Sequence, residues 1–203
     1  MSDNIDDLIG LFEQTFYCSH NTKLVQGGVE PVYLPANSQC QFHQLVFTHD
    51  YYASALHEIS HWCLAGEQRR LLEDFGYWYL PDGRTQQQQH AFEQVEVKPQ
   101  AIEWAFSVAA NKKFVVSADN LHGMDIETVN FQRAVSQQVQ RYLNCGFPCR
   151  AEQFIAVLAD FYQSPWPLTA AQFGLVDATE QQPKQQPKQQ LKPTTEKGVL
   201  IDV

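Results

Sequence analysis

The sequence predicts an α+β fold, a single mostly helical domain with a small N-terminal sheet. Short runs of β-branched and aromatic residues are concentrated in residues 22–48, and most of the following chain up to residue 178 has apolar residues at helical spacing. A chain of 203 residues with 44% hydrophobic residues has the size and composition of one globular domain. We therefore predict that residues 1–178 form this domain.

The elements are predicted in order along the chain. Residues 4–17 should form a helix, because their apolar residues recur at helical spacing and aspartates occupy the first turn. Residues 51–65 should form another, with Gly66 as its stop. The remaining helices are expected at about 67–76, 85–94, 99–111, 126–144 and 150–163, and the strands at about 24–25, 32–34, 42–47 and 114–117.

Residues 179–203 differ from the rest in composition. The sequence QQPK occurs at 181–184 and again at 185–188, and QQLK follows at 189–192. Polar repeats of this kind cannot bury enough apolar surface to offset the entropy lost on ordering. We expect residues 179–203 to be a disordered Gln/Pro/Lys-rich tail without a catalytic role.

The distribution of charge restricts the partners. Residues 1–178 contain 20 acidic and 10 basic residues, a net charge of −10, whereas residues 179–203 contain 3 and 4, a net charge of +1. An acidic body repels phosphate backbones, so direct nucleic-acid binding is disfavoured. The sequence has neither a basic leader followed by an apolar run nor the roughly 18 apolar residues of a membrane span. A cytoplasmic protein is expected, with its five cysteines as reduced thiols.

The segment His57-Glu58-Ile59-Ser60-His61 carries the chemistry. In a helix, His57 and His61 project from one face roughly 40° apart, so both imidazoles can reach one metal ion. Apolar residues at 52, 56, 59 and 63 form a separate stripe that can anchor the helix in the core. Zinc hydrolases with this motif are called zincins, and in them the glutamate after the first histidine is the general base. In this sequence that glutamate is Glu58.

Two histidines leave a metal under-coordinated, so a third protein ligand is expected. Glu103 is our choice, because a carboxylate in an otherwise apolar helix should be buried and needs a partner. Glu93 and Glu96 are the nearest alternatives.

Two histidines and one carboxylate suit two chemistries. Zinc would lower the pKa of a bound water for peptide hydrolysis, with Glu58 as base. Fe(II) held by the same three groups would leave positions for dioxygen and support hydroxylation. The spacing alone does not separate the two.

Longer segments resemble the bacterial elongation factor P hydroxylase family. They are FTHDYYASALHEISHWC at 47–63, DFGYWYLPDGR at 74–84 and QVEVKPQAIEW at 94–104, and the resemblance extends over residues 5–178. It implies a non-haem metal-dependent monooxygenase, with Fe(II) as the expected metal, zinc as the metal that purified protein could contain instead, and O2 as co-substrate. The implied substrate is the β-lysylated lysine of elongation factor P. His57, Glu58 and His61 match the motif by position, and a cytosolic zinc metallopeptidase remains the alternative.

Overall fold

The computed structural model of the chain describes residues 4–28, 30–49, 51–75, 85–117 and 126–175. Helix α1 (Ile5–His20) begins at Asn4, whose side chain accepts a hydrogen bond from the backbone N–H of Asp6, and ends at Asn21 in the left-handed conformation. This residue also donates its backbone N–H to the carbonyl of Tyr17. The predicted helix is confirmed and continues three residues beyond its expected end at residue 17.

Three strands form the sheet, β1 (Thr22–Gln26), β2 (Val32–Leu34) and β3 (His43–Phe47), in the order β1-β3-β2. The central strand β3 pairs in parallel with β1 and antiparallel with β2. Leu45 of β3 lies between Leu24 and Tyr33 in the register, and all three side chains are buried. The predicted N-terminal sheet is thereby confirmed.

The fourth predicted strand, over residues 114–117, is wrong. The backbone of Ser117 instead bonds with the side-chain amide of Gln100, which donates to the Ser117 carbonyl at 2.7 Å and accepts from its N–H at 3.1 Å. Phe114 stacks on Trp104, with ring centroids 5.3 Å apart. These tertiary contacts take the place of a strand partner.

Helix α2 (Tyr52–Leu64) matches the predicted helix to within one residue at each end. Its last carbonyls are held by arginines: Arg150 donates to the carbonyls of Cys63 and Ala65, and Arg70 donates to Ala65. Gly66 follows the cap residue but does not take the left-handed conformation of a glycine stop. Arginine side chains therefore satisfy the end of this helix, as basic groups near a C-terminus do.

The two helices predicted at 85–94 and 99–111 are one continuous helix, α3 (Gln86–Ala109), which contains Pro99. Thr85 and Gln88 form a capping box at its start. Proline normally interrupts a helix, since it lacks the N–H and clashes with the preceding turn. Here the helix continues across it, and Ala101, Ile102 and several later side chains are buried in the core. The helix predicted at 67–76 is reduced to a 3₁₀-helix, Arg69–Leu71.

Helices α4 (Ile126–Cys145) and α5 (Cys149–Tyr162) complete the domain, followed by a 3₁₀-helix, Ala170–Phe173. α3 packs against α2, α4 and α5. An aromatic cluster fills the core between α1, α2, α3 and α5; its members are Phe12, Phe16, Trp62, Phe106 and Phe154. Within the described ranges, no helix is both long and apolar enough to cross a bilayer. The tail predicted at 179–203 lies outside those ranges.

Candidate metal centre

Helix α2 presents His57 and His61 side by side, as the sequence predicts. Their Nε2 atoms are 3.1 Å apart, and each side chain is about one-third exposed. Leu56, Ile59 and Cys63, on other faces of the same helix, are buried in the core. The apolar side chains thus fix the helix and leave the two imidazoles at the edge of the core.

Glu96 of α3 faces both of these nitrogens. Its Oε1 lies 3.2 Å from Nε2 of His61, and its Oε2 lies 3.6 Å from Nε2 of His57. The residue is only 3% exposed, and its buried Oε2 has no hydrogen-bond partner among the residues that the structure describes. The ligand atoms that His57, His61 and Glu96 offer all lie within 4.8 Å of one another.

Glu103 lies on the other side of the first imidazole. Its Oε2 is 2.8 Å from Nδ1 of His57, and its side chain is 12% exposed. The carboxylate that was expected to be buried is therefore partly buried, and it has a partner. Glu96, which the sequence offered only as an alternative ligand, therefore lies beside the two Nε2 atoms. Glu103, the first choice, lies instead beside Nδ1 of His57.

Glu93, the other alternative, accepts a hydrogen bond from Gln89 on its own helix at 3.1 Å. Glu93 is not a member of the group formed by His57, His61 and Glu96.

The charges around the two histidines are coupled. Burial lowers the pKa of His57, but the hydrogen bond and charge of Glu103, with the charges of Glu96 and Glu58, raise it to about 10. Burial raises the pKa of Glu96, but the two histidines and the Gln100 amide bring it below its usual value. Burial also raises the pKa of Glu58, against the opposing effect of the histidines. Three carboxyl groups thus surround two imidazoles, a setting that favours a cation.

The donor set fits a divalent metal ion. Imidazole nitrogen and carboxylate oxygen are common ligands of Zn²⁺ and Fe(II). Within the described part of the chain, the buried Oε2 of Glu96 accepts no hydrogen bond, and a cation between it and the two Nε2 atoms would give it a partner. A carboxylate on the far nitrogen of a ligating histidine, as Glu103 provides, fixes the ring and its tautomer. His57, His61 and Glu96 thus offer the donor atoms of a two-histidine, one-carboxylate site.

A cavity of about 330 Å³ opens beside these residues. Glu58 and His61 lie in its wall, together with Tyr33 of the sheet and Asp74. The backbone of Asp74 forms an isolated bridge with Tyr33, which ties the segment after α2 to the edge of the sheet. Glu58 could be identified from its motif in the sequence. No local pattern points to Tyr33 or Asp74 as lining residues, because the fold brings them in from distant positions.

Comparison with known proteins adds independent information. The family model described as "Elongation factor P hydroxylase" matches residues 11–173. The chain is also 47% identical over 173 residues to the elongation factor P lysine hydroxylase of Haemophilus influenzae. That alignment covers 85% of this chain and 97% of the relative.

Proposed function

Because this chain belongs to the elongation factor P hydroxylase family, we propose that it hydroxylates a lysine side chain of elongation factor P. The observation that carries the proposal is the convergence of His57, His61 and Glu96 in a chain 47% identical to a named lysine hydroxylase. The acidic body supports it, since negative potential attracts a positively charged lysine side chain. The substrate that we propose is the β-lysylated form of elongation factor P, which the family resemblance implies. We propose the cytoplasm as the location of the protein.

Three residues would hold the metal: His57 and His61 through Nε2, and Glu96 through its carboxylate. Glu103, our choice from the sequence, is better suited to accept a hydrogen bond from Nδ1–H of His57, because it already lies 2.8 Å from that atom. Such a bond holds the proton on Nδ1 and leaves Nε2 as the free lone pair. The assignment of Glu96 rests on its two short distances to the Nε2 atoms.

We propose Fe(II) as the metal and dioxygen as the oxidant. Fe(II) in a site of two histidines and one carboxylate, when bound, supplies the redox chemistry that activates dioxygen. The reaction converts a lysine C–H bond, O2, two electrons and two protons into C–OH and water. The two electrons come from a separate reductant.

Glu58 serves the reaction through its proton. Its carboxyl group lines the cavity next to His61, and burial raises its pKa. A carboxyl group that keeps its proton more readily than usual can donate one as oxygen is reduced to water. In the alternative, a zinc metallopeptidase, the same residue would take a proton from water. The family and the named relative support a hydroxylase rather than a peptidase.

The two functions are separated by metal reconstitution. Metal-free protein is loaded anaerobically with Fe(II) or Zn(II) and incubated with β-lysylated elongation factor P, a reductant and air. Mass spectrometry should show the gain of one oxygen atom on the modified lysine with Fe(II) alone, and no gain for the His57→Ala variant. Peptide cleavage with Zn(II), and no added oxygen with Fe(II), would establish the peptidase instead. The Glu93→Gln variant is a matched control and should keep its activity, because Glu93 bonds Gln89 outside the site.

A further inference from the structure

The cavity beside His61 combines an apolar wall with access to the proposed metal ligands. Its lining includes Leu45, Leu64, Val95 and Pro99, as well as Glu58 and His61. The Nε2 atom of His61 is 3.2 Å from Glu96, so one wall of the cavity belongs to the ligand group itself. A volume of about 330 Å³ falls at the lower end of the roughly 300–1,000 Å³ of ligand pockets.

We propose that this cavity binds the side chain of the target lysine while it is hydroxylated. The inference rests on the proposed function and specifies where the substrate lies. A carbon atom can be hydroxylated only if it reaches the immediate neighbourhood of the metal, and His61, a proposed ligand, lies in the wall of this cavity. The methylene groups of a lysine side chain match the aliphatic and proline side chains of the wall, because contact between them removes apolar surface of both from water.

The two arginines of the lining are both engaged with acceptors of the protein. Arg69 forms an ion pair with Asp74, and Arg70 donates to the carbonyl of Ala65 at 2.6 Å. Both guanidinium groups are therefore already bonded to acceptors of the protein. An anionic ligand would have to compete with these internal acceptors, whereas an aliphatic amine would not.

Gly66 offers a direct way to fill the cavity. It lies in the lining, a Cβ atom added there would meet nothing within 4 Å, and its φ is not in the left-handed region. Gly66→Leu should therefore fold normally and occupy space that the lysine needs. Leu64→Trp is a second, independent filling variant from the same lining. Gly10→Leu is the matched control, because a Cβ at Gly10 is equally free but lies on α1, away from the cavity.

The test measures binding and turnover separately. With Zn(II) in place of Fe(II), so that no hydroxylation occurs, the Kd for modified elongation factor P is measured by calorimetry. Both filling variants should raise Kd at least tenfold, and Gly10→Leu should not change it. The same comparison with elongation factor P whose target lysine is replaced by alanine should show no effect of filling. With Fe(II), the filling variants should lose at least tenfold in kcat/KM, mainly through KM, while metal content is unchanged.

Two outcomes would overturn the inference. One is a Kd and a kcat/KM within twofold of wild type in both filling variants. The other is an equal loss of affinity for the lysine-free substrate, which would mean that filling disturbs the docking of the whole protein. Failure of the proposed function would look different, since the wild-type protein with Fe(II) would then leave elongation factor P without added oxygen.

Discussion

The carboxylate of Glu103 lies 2.8 Å from Nδ1 of His57, while Glu96 approaches Nε2 of the same ring. One imidazole is thus held between two carboxylates that come from a single helix. The two acids are seven residues apart, close to two helical turns, so they project from nearly the same face of α3. In the proposed site the two acids have different roles, since Glu96 would bind the metal and Glu103 would fix the ring.

The two carboxylates should differ in their effect on metal binding. Glu103→Gln keeps an oxygen acceptor near Nδ1 but removes the charge, so metal affinity should fall by about 10- to 100-fold, as for other groups that orient a ligating histidine. Glu96→Gln removes a proposed ligand and should lower affinity further. Both are measured by titration of metal-free protein with Zn(II).

Glu93→Gln is the control from the same helix and should bind metal like wild type, because Glu93 bonds Gln89. A larger loss of Zn(II) affinity for Glu103→Gln than for Glu96→Gln would mean that Glu103, not Glu96, is the third ligand.

Metal-free protein should lose stability as the pH rises from about 6.5 to about 10. The carboxylates raise the pKa of His57 from 6.5 to about 10 in the folded state. The protonated ring therefore stabilises the fold fully below pH 6.5, and this contribution disappears as the pH passes through 10. The Tm of metal-free protein, followed by calorimetry, should fall more steeply over this interval than that of His57→Gln. Parallel curves for the two proteins would contradict the proposed charge coupling.

Zinc binding should release protons in the same pH range, because a ligating histidine must be neutral. At pH 8, the calorimetric heat of zinc binding should depend on the ionisation enthalpy of the buffer. The dependence should weaken above pH 10, where the ring of His57 has already lost its proton. No buffer dependence at pH 8 would mean that the metal does not displace this proton.

Arg150 should contribute strongly to stability through the end of α2. Its guanidinium donates to the carbonyls of Cys63 and Ala65 and lies over the ring of Trp62, 4.6 Å from the centroid. Arg150→Ala removes two charge-assisted hydrogen bonds and should cost roughly 2–4 kcal/mol in the free energy of unfolding by urea. Arg141→Ala, an exposed arginine on α4, should cost less than about 0.5 kcal/mol. Similar values for both would mean that solvent can replace Arg150 at the helix end.

Glycine is required at position 27 by close packing. A Cβ atom there would lie 2.1 Å from Cγ1 of Val46 and 3.0 Å from the carbonyl oxygen of Phe47. Gly27→Ala should therefore destabilise the protein by about 1–3 kcal/mol. Gly10→Ala, in the interior of α1 with open space around it, should instead stabilise by about 0.5–1 kcal/mol. Urea unfolding of both variants checks the sign, and a stabilised Gly27→Ala protein would contradict the packing.

The helix α2 and its two histidines could be predicted from the sequence, because the amphipathic pattern and the four-residue spacing are local properties. The sheet was predictable for the same reason, since its strands stand out by their residue types and by the glycine and proline that separate them.

From the sequence, Glu96 was only an alternative to Glu103, because the separate helices predicted at 85–94 and 99–111 left it in the connection between them. Only the unbroken helix puts Glu96 and Glu103 on one face. The strand expected at 114–117 failed because a single side chain, Gln100, pairs with the backbone of Ser117, and no local pattern encodes such a contact.

The most direct test is a crystal structure of the Fe(II)-loaded protein, with anomalous scattering recorded on both sides of the iron edge. The ion should lie about 2.0–2.2 Å from Nε2 of His57, Nε2 of His61 and a carboxylate oxygen of Glu96, with Glu103 still hydrogen-bonded to Nδ1. An ion bound by Glu103 in place of Glu96, or no anomalous peak near the two histidines, would contradict the account.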